Sequence, residues 1–146
     1  VLFGSIKISL IAIIPNLLAA SIVLGGMGIA RIPLDMMTIT IAAITVGVGV
    51  DHAIHYLTRF RREYQIDGDY IAAMYRSHAS IGRALFYTAI TIIIGFSILA
   101  LSNFIPSIYF GLLTGLAMIA ALLGSMTLLP KLILLSQPFE LYKRHE

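Results

Sequence analysis

The sequence contains no cysteine, which excludes disulfides and thiolate metal sites. Charge is scarce as well. Asp, Glu, Lys and Arg make up 12% of the 146 residues, against about a quarter in an ordinary soluble domain. With 59% of residues hydrophobic, a soluble globular fold is excluded and a membrane protein is expected. No signal-peptide pattern is read in the given residues, because the first apolar run is too long and lacks a small-residue cleavage site. No Met opens the chain, and its first residues, VLFGSIK, read as the continuation of a longer protein.

What is present are apolar runs near the length of about 20 residues needed to cross a hydrocarbon core. Four are expected, at about 8–30, 36–57, 84–101 and 108–135, giving an all-α polytopic bundle of four spanning helices. Pro15 lies inside the first and Pro130 near the end of the fourth. Membrane helices tolerate such residues when neighbours satisfy the freed backbone groups, so each is expected to kink its helix, not to end it.

Nine of the ten Lys and Arg fall on one side of a four-span arrangement: Lys7, Arg59, Arg61, Arg62, Arg76, Arg83, Lys131, Lys143 and Arg144. The excess of basic residues in cytoplasmic segments then predicts a cytoplasmic 59–83 connection and C-terminus, in the inner or plasma membrane. Arg31, Asp35 and the turn Ser102-Asn103-Phe104-Ile105-Pro106 face out. The net charge of +3 follows from this topology and calls for no nucleic-acid partner. Within 59–83, Asp67-Gly68 signals a turn, and Asp69 caps a short cytoplasmic amphipathic helix with Ile71, Met74 and Tyr75 on one face. Arg76 and Arg83 are expected near lipid phosphates, and the rival reading is a solvated linker with basic anchors.

The second run reads VGVGVDHAIHYLTRFRREY from Val46 to Tyr64 and places an acid among apolar residues. Met36 to Asp51 spans about 22 Å of helix and Arg59 lies about 12 Å further on, so Asp51 sits within the hydrocarbon, towards the cytoplasmic half. An ionised Asp there costs about 2.5–3.5 kcal/mol, and such a residue faces a polar cavity, finds a partner or stays protonated. Opposing effects of burial and neighbouring charge on a carboxyl group allow it to take up and release a proton. His55 and Gly47 share its helix face, while His52 is turned by about 100° onto the face of Val48 and Tyr56. Gly47 and Gly49 bare the helix for close approach by another. Asp51, His52 and His55 are thus candidate proton-relay residues. Thr88, Thr91 and Tyr87 of the third run are candidate relay partners. Competing structural readings are a helix-pairing Asp51, a His55 bonded to a backbone carbonyl, and threonines bonded to their own helix. In the fourth run Gly111, Gly115, Gly124 and Ser125 offer a packing surface, with Thr114 and Thr127 less specific.

The segment GVGVDHAIHYLTRFRREY resembles the motif Gly-Ile/Val-Gly-Val-Asp-Tyr-x-Ile-His, followed by basic residues, of the resistance-nodulation-division (RND) exporter superfamily. The nearest branch is that of MMPL-type lipid exporters, themselves akin to sterol-sensing proteins. The likeness covers almost the whole chain: a Pro-containing span before the motif, a polar connection after it, a Gly/Thr-rich span and a last span ending in TLLPKLILL. It implies a proton-driven transporter of lipids or other hydrophobic molecules. Its membrane domain would have twelve helices in two repeats, residues 1–146 covering the last four of one repeat, the C-terminal one by the short basic tail. The remaining repeat, the extracytoplasmic domains, the bilayer and a hydrophobic substrate would be its partners, and a homo-oligomer is compatible with it. The proton-translocating role carries to Asp51. His52 stands where the lipid-exporter branch commonly has Tyr, either replacing a phenol or adding a second titrating site. No cofactor or metal is implied. A metalloenzyme built on Asp51, His52 and His55 lacks the His-Glu-x-x-His spacing and a nearby general-base Glu. A non-transporting sterol- or lipid-sensing module is the other rival.

Overall fold

The computed structural model describes residues 6–137, so Lys143, Arg144 and the rest of the basic tail lie outside the described residues. Its helices are α1 (Ile6–Ile29), α2 (Met36–Asp67), α3 (Tyr70–Ser77), α4 (Arg83–Ser97), α5 (Ile105–Leu123) and α6 (Leu129–Ser136). A π-helical turn, His78–Gly82, carries α3 into α4, and a second, Gly124–Leu128, carries α5 into α6. A 3₁₀ turn, Ile98–Leu101, extends α4. The result is four continuous rods, Ile6–Ile29, Met36–Asp67, Tyr70–Leu101 and Ile105–Ser136, each long and apolar enough to cross a membrane. This is a multi-pass membrane protein. Rods of 32 residues reach about 48 Å, well beyond a hydrocarbon core of about 30 Å.

That excess length corrects the expected layout of 59–83. The second apolar run ends at Leu57, but the helix continues to Asp67, because Arg59, Arg61, Arg62 and Glu63 are all helix formers. The break is confined to Gly68, which takes the left-handed conformation with φ 71°. Asp69 then caps the next helix by accepting from the Ile71 and Ala72 amides. The short amphipathic helix exists as α3, but it is the stem of the rod that becomes α4 and not a separate surface helix. Its buried face is Tyr70, Ala73 and Ser77, whereas Ile71 and Tyr75 are exposed and Met74 is half-buried. Aromatic packing on α2 selects that face: the Tyr70 ring lies 4.4 Å from Tyr64 and 6.2 Å from Phe60, centre to centre.

Arg76 is bonded to carboxylates of its own chain. Its Nε donates to Glu63 Oε2 at 2.8 Å, its Nη1 and Nη2 to Asp67 at 3.0 and 2.9 Å, and Nη2 also to the Glu63 carbonyl at 2.9 Å. Arg59 approaches the other Glu63 oxygen at 2.7 Å. Glu63 is buried, so this fork holds a buried carboxylate and locks α3 against α2 at one end of the bundle. Arg83 donates to the carbonyl of Ala79 in the π turn before it.

α2 packs against α1 and α5, α1 also meets α5, and α4 lies on α5. One apolar core, including Ile8, Ile11, Tyr56, Phe60, Leu129 and Ile133, fills the α3 end of the bundle. A second, with Val23, Met27, Ile41, Ala117 and Met118, fills the other. Between them α1 crosses α2 and the second π turn. A Cβ on Gly49 would collide with Asn16 Oδ1, and one on Gly124 would press on Pro15 at 3.3 Å. Gly111 lets α5 approach the end of α4, where a Cβ would stand 2.5 Å from the Phe96 carbonyl. By contrast, Gly47 and Gly115 have open space beside them. α1 continues through Pro15, while Pro130 stands at the start of α6 directly after a π turn.

Two stability predictions follow for the parent chain in detergent. Arg76→Ala strands the buried Glu63 with Arg59 alone and should destabilise by about 1.5–3 kcal/mol, against little change for Arg83→Ala, read from thermal melts. Gly49→Leu forces Asn16 out of its seat and should cost about 1–3 kcal/mol, whereas Gly25→Leu, at an open position, should melt close to wild type.

Candidate functional site

The 3.6-residue repeat of α2 sorts its polar residues onto two faces. On one face Asp51 and His55 pair at i,i+4, with Asp51 Oδ1 3.4 Å from His55 Nε2. Both side chains are exposed, at 65% and 58% of their surface, and Gly47 one turn earlier continues the same open strip. An acid and an imidazole at this distance can exchange a proton directly or through one water, and the ion pair disappears when the carboxylate is protonated.

The other face is closed. His52 is 1% exposed, and neither of its ring nitrogens has a hydrogen-bond partner among the described residues. Asp51, His52 and His55 therefore do not converge on one point. Among the described residues no group of three His, Asp or Glu side chains is placed to hold a metal ion. One turn after His52, Tyr56 is fully buried and its hydroxyl lies 2.9 Å from His78 Nδ1. The two rings meet nearly edge-on, with centres 5.4 Å apart.

Thr88 and Thr91 lie on the exposed side of α4 and donate to the carbonyls of Ala84 and Tyr87 in their own helix, at 3.0 and 2.9 Å. Tyr87 is 68% exposed and packs edge-on against Phe86. α4 rests on α5, and among the described residues the threonine hydroxyls bond their own helix and Asp51 pairs with His55.

Three polar residues escaped the sequence reading. Glu63 is held by Arg59 and Arg76, and only the Arg59/Glu63 spacing of four hints at it. Asn16 is 1% exposed, donates to the Ala12 carbonyl at 2.8 Å and keeps an unpartnered Oδ1 against Gly49. His78 bonds Tyr56 and, through Nε2, the carbonyl of Met126 at 2.9 Å. Pro130 is the sequence signal for that last contact: it lacks the N–H that would bond residue 126 in an α-helix. Thr114 and Ser125 are also buried without a hydroxyl partner among the described residues.

Relatives of the chain are membrane proteins. It is 30% identical over 129 residues to membrane protein MJ1562 of Methanocaldococcus jannaschii, covering 88% of this chain and 33% of that one. It is 29% identical over 133 residues to the hopanoid transporter HpnN of Burkholderia multivorans, covering 87% and 15%. Membrane protein SCO6666 of Streptomyces coelicolor is 31% identical over 90 residues, covering 60% and 12%. The chain thus spans a third or less of the length of these relatives. No solved structure matches it. The match to the MMPL family extends over residues 1–145, and the chain belongs to that family.

Proposed function

We propose that this chain is part of a proton-driven exporter of lipids or other hydrophobic molecules, with Asp51 as the group that takes up and releases the proton. The observation that carries the reading is the Asp51–His55 pair on an open face of a spanning helix, 3.4 Å apart. An acid at membrane depth is expensive on a lipid-facing surface, so this face is best covered by protein or by a polar cavity. The rest of a parent chain several times longer, as in the relatives, would supply that cover. A relative named as a hopanoid transporter supports a lipid as cargo. A transporter role, and not catalysis, accords with family membership.

In this reading, protonation of Asp51 removes its charge, releases His55 and lets the covered face of α2 repack. Deprotonation restores the pair and resets the helices. One charge moved through the membrane potential is worth about 2.3 kcal/mol per 100 mV, enough to bias a two-state bundle. The basic excess of 59–83 orients the chain with that connection and the C-terminus in the cytoplasm of an inner or plasma membrane. Thr88, Thr91 and Tyr87 would serve as relay partners only across the interface with the other repeat.

Proton-driven efflux of a fluorescent lipid analogue by the full-length parent tests this. Asp51→Asn should insert and melt normally yet lose at least about tenfold in rate, roughly 1.4 kcal/mol. His52→Tyr restores the phenol common in the lipid-exporter branch and should transport if that position needs a hydrogen-bonding group only. Wild-type efflux in Asp51→Asn would leave Asp51 a packing or lipid-sensing residue.

A further inference from the structure

His78 and Tyr56 lie outside the Asp51–His55 pair, yet their geometry is that of a proton-conducting contact. We infer that His78 and Tyr56 form a proton wire leading from a surface groove beside the second π turn to the buried His52; the inference rests on the proton-relay reading of α2.

The groove, about 400 Å³, is lined by Met74, Tyr75, His78, Thr127 and Lys131 among others, so His78 stands between an open surface and the core. His78 itself is half-buried, and Tyr56 behind it has no exposed surface. His52 lies one turn further along the same face of α2, 1% exposed and without a protein partner for either nitrogen. A buried imidazole left without partners is expensive, and the phenol one turn away, across one bridging water, is a group that can supply it.

The surroundings of His78 accommodate both of its protonation states. Nε2 carries a hydrogen, because its partner, the Met126 carbonyl, only accepts. In the neutral ring Nδ1 accepts from the Tyr56 hydroxyl at 2.9 Å. In the charged ring Nδ1 donates, and two acceptors stand ready: Tyr56 Oη and the Met74 carbonyl at 3.1 Å. The groups facing His78 are therefore Tyr56 from α2, the Met74 carbonyl and Tyr75 from α3, the Met126 carbonyl from the π turn, and Lys131 of α6 across the groove. No carboxylate is among them to fix the ring in its charged form.

The transfer balances without any further reactant. The Tyr56 hydroxyl rotates off Nδ1 towards His52, and a proton from the groove adds to the freed Nδ1 of neutral His78. The Nδ1 proton passes to Tyr56 Oη as the original hydroxyl proton of Tyr56 leaves across one bridging water to His52, whose unprotonated nitrogen takes it. His78 is neutral again, Tyr56 is again a phenol, and rotation of its hydroxyl back to Nδ1 resets the wire. Both π turns serve this contact. His78 opens one, Met126 sits within the other, and the Met126 side chain lies over Gly82, where a Cβ would stand 2.7 Å from its terminal methyl.

The test is a pH jump on the full-length parent in lipid nanodiscs containing isotope-labelled histidine, followed by time-resolved infrared spectroscopy. The His52 bands are those absent from His52→Tyr. Tyr56→Phe, which keeps the ring and its packing, and His78→Ala should each slow His52 protonation at least about tenfold. Added imidazole should restore His78→Ala, while pyrazole, of the same shape but a far weaker base, should not. Unchanged rates in both variants, rescue by pyrazole as good as by imidazole, or a His52 that never titrates would overturn the wire. The Asp51 carboxyl band in the same spectra reports separately on the relay reading: loss of the wire with Asp51 still titrating leaves that reading intact.

Discussion

A carboxyl group on a helix as apolar as α2 constrains everything around it. Lipid offers it nothing, so it needs a partner, water or a proton. The chain supplies one partner, His55, and leaves the rest of the Asp51 face open. Three other polar side chains lie at the closed face of α2: Thr45 bonds back to the Ile41 carbonyl, Asn16 seats against Gly49, and Glu63 is held by two arginines. Each of these places a polar group inside the bundle, whereas Asp51 is turned to the outside. The result is a helix with one sealed face and one open, charged face.

The same constraint governs the backbone. Inside a membrane every carbonyl needs a donor, and proline removes one. Pro130 withdraws the amide that would serve Met126, and His78 of another rod donates to that carbonyl. The π turns place both ends of the contact, and single π turns within helices recur at functional positions. Packing alone would be served by a leucine at position 78. A ring that bonds a carbonyl on one side and a buried phenol on the other has chemistry to spare.

Much of this was legible in the sequence. The four apolar runs, the turn at Asp67-Gly68, the Asp69 cap and the shared face of Asp51 and His55 all depend on local spacing, which a sequence displays. The continuity of α3 with α4 was not legible, because a π turn has no residue signature and polar Arg59–Tyr64 reads as a linker although it is helical. The fork on Glu63 was missed because Arg76 lies beyond a turn, 13 residues away, and the His78–Met126 contact because it spans 48. Thr88, Thr91 and Tyr87 are candidate relay partners by residue type and helical spacing, and spacing does not say which neighbour a helix packs on. Here α5 holds α4, and the threonine hydroxyls go to their own backbone.

The central claim is that Asp51 changes protonation state during transport. The most direct measurement is an infrared pH titration of the full-length parent carrying isotope-labelled aspartate, with the band assigned by its loss in Asp51→Asn. The account predicts a carboxyl group that titrates reversibly and whose midpoint moves when a lipid cargo is added. An Asp51 that keeps one protonation state across the whole pH range, with and without cargo, would contradict it.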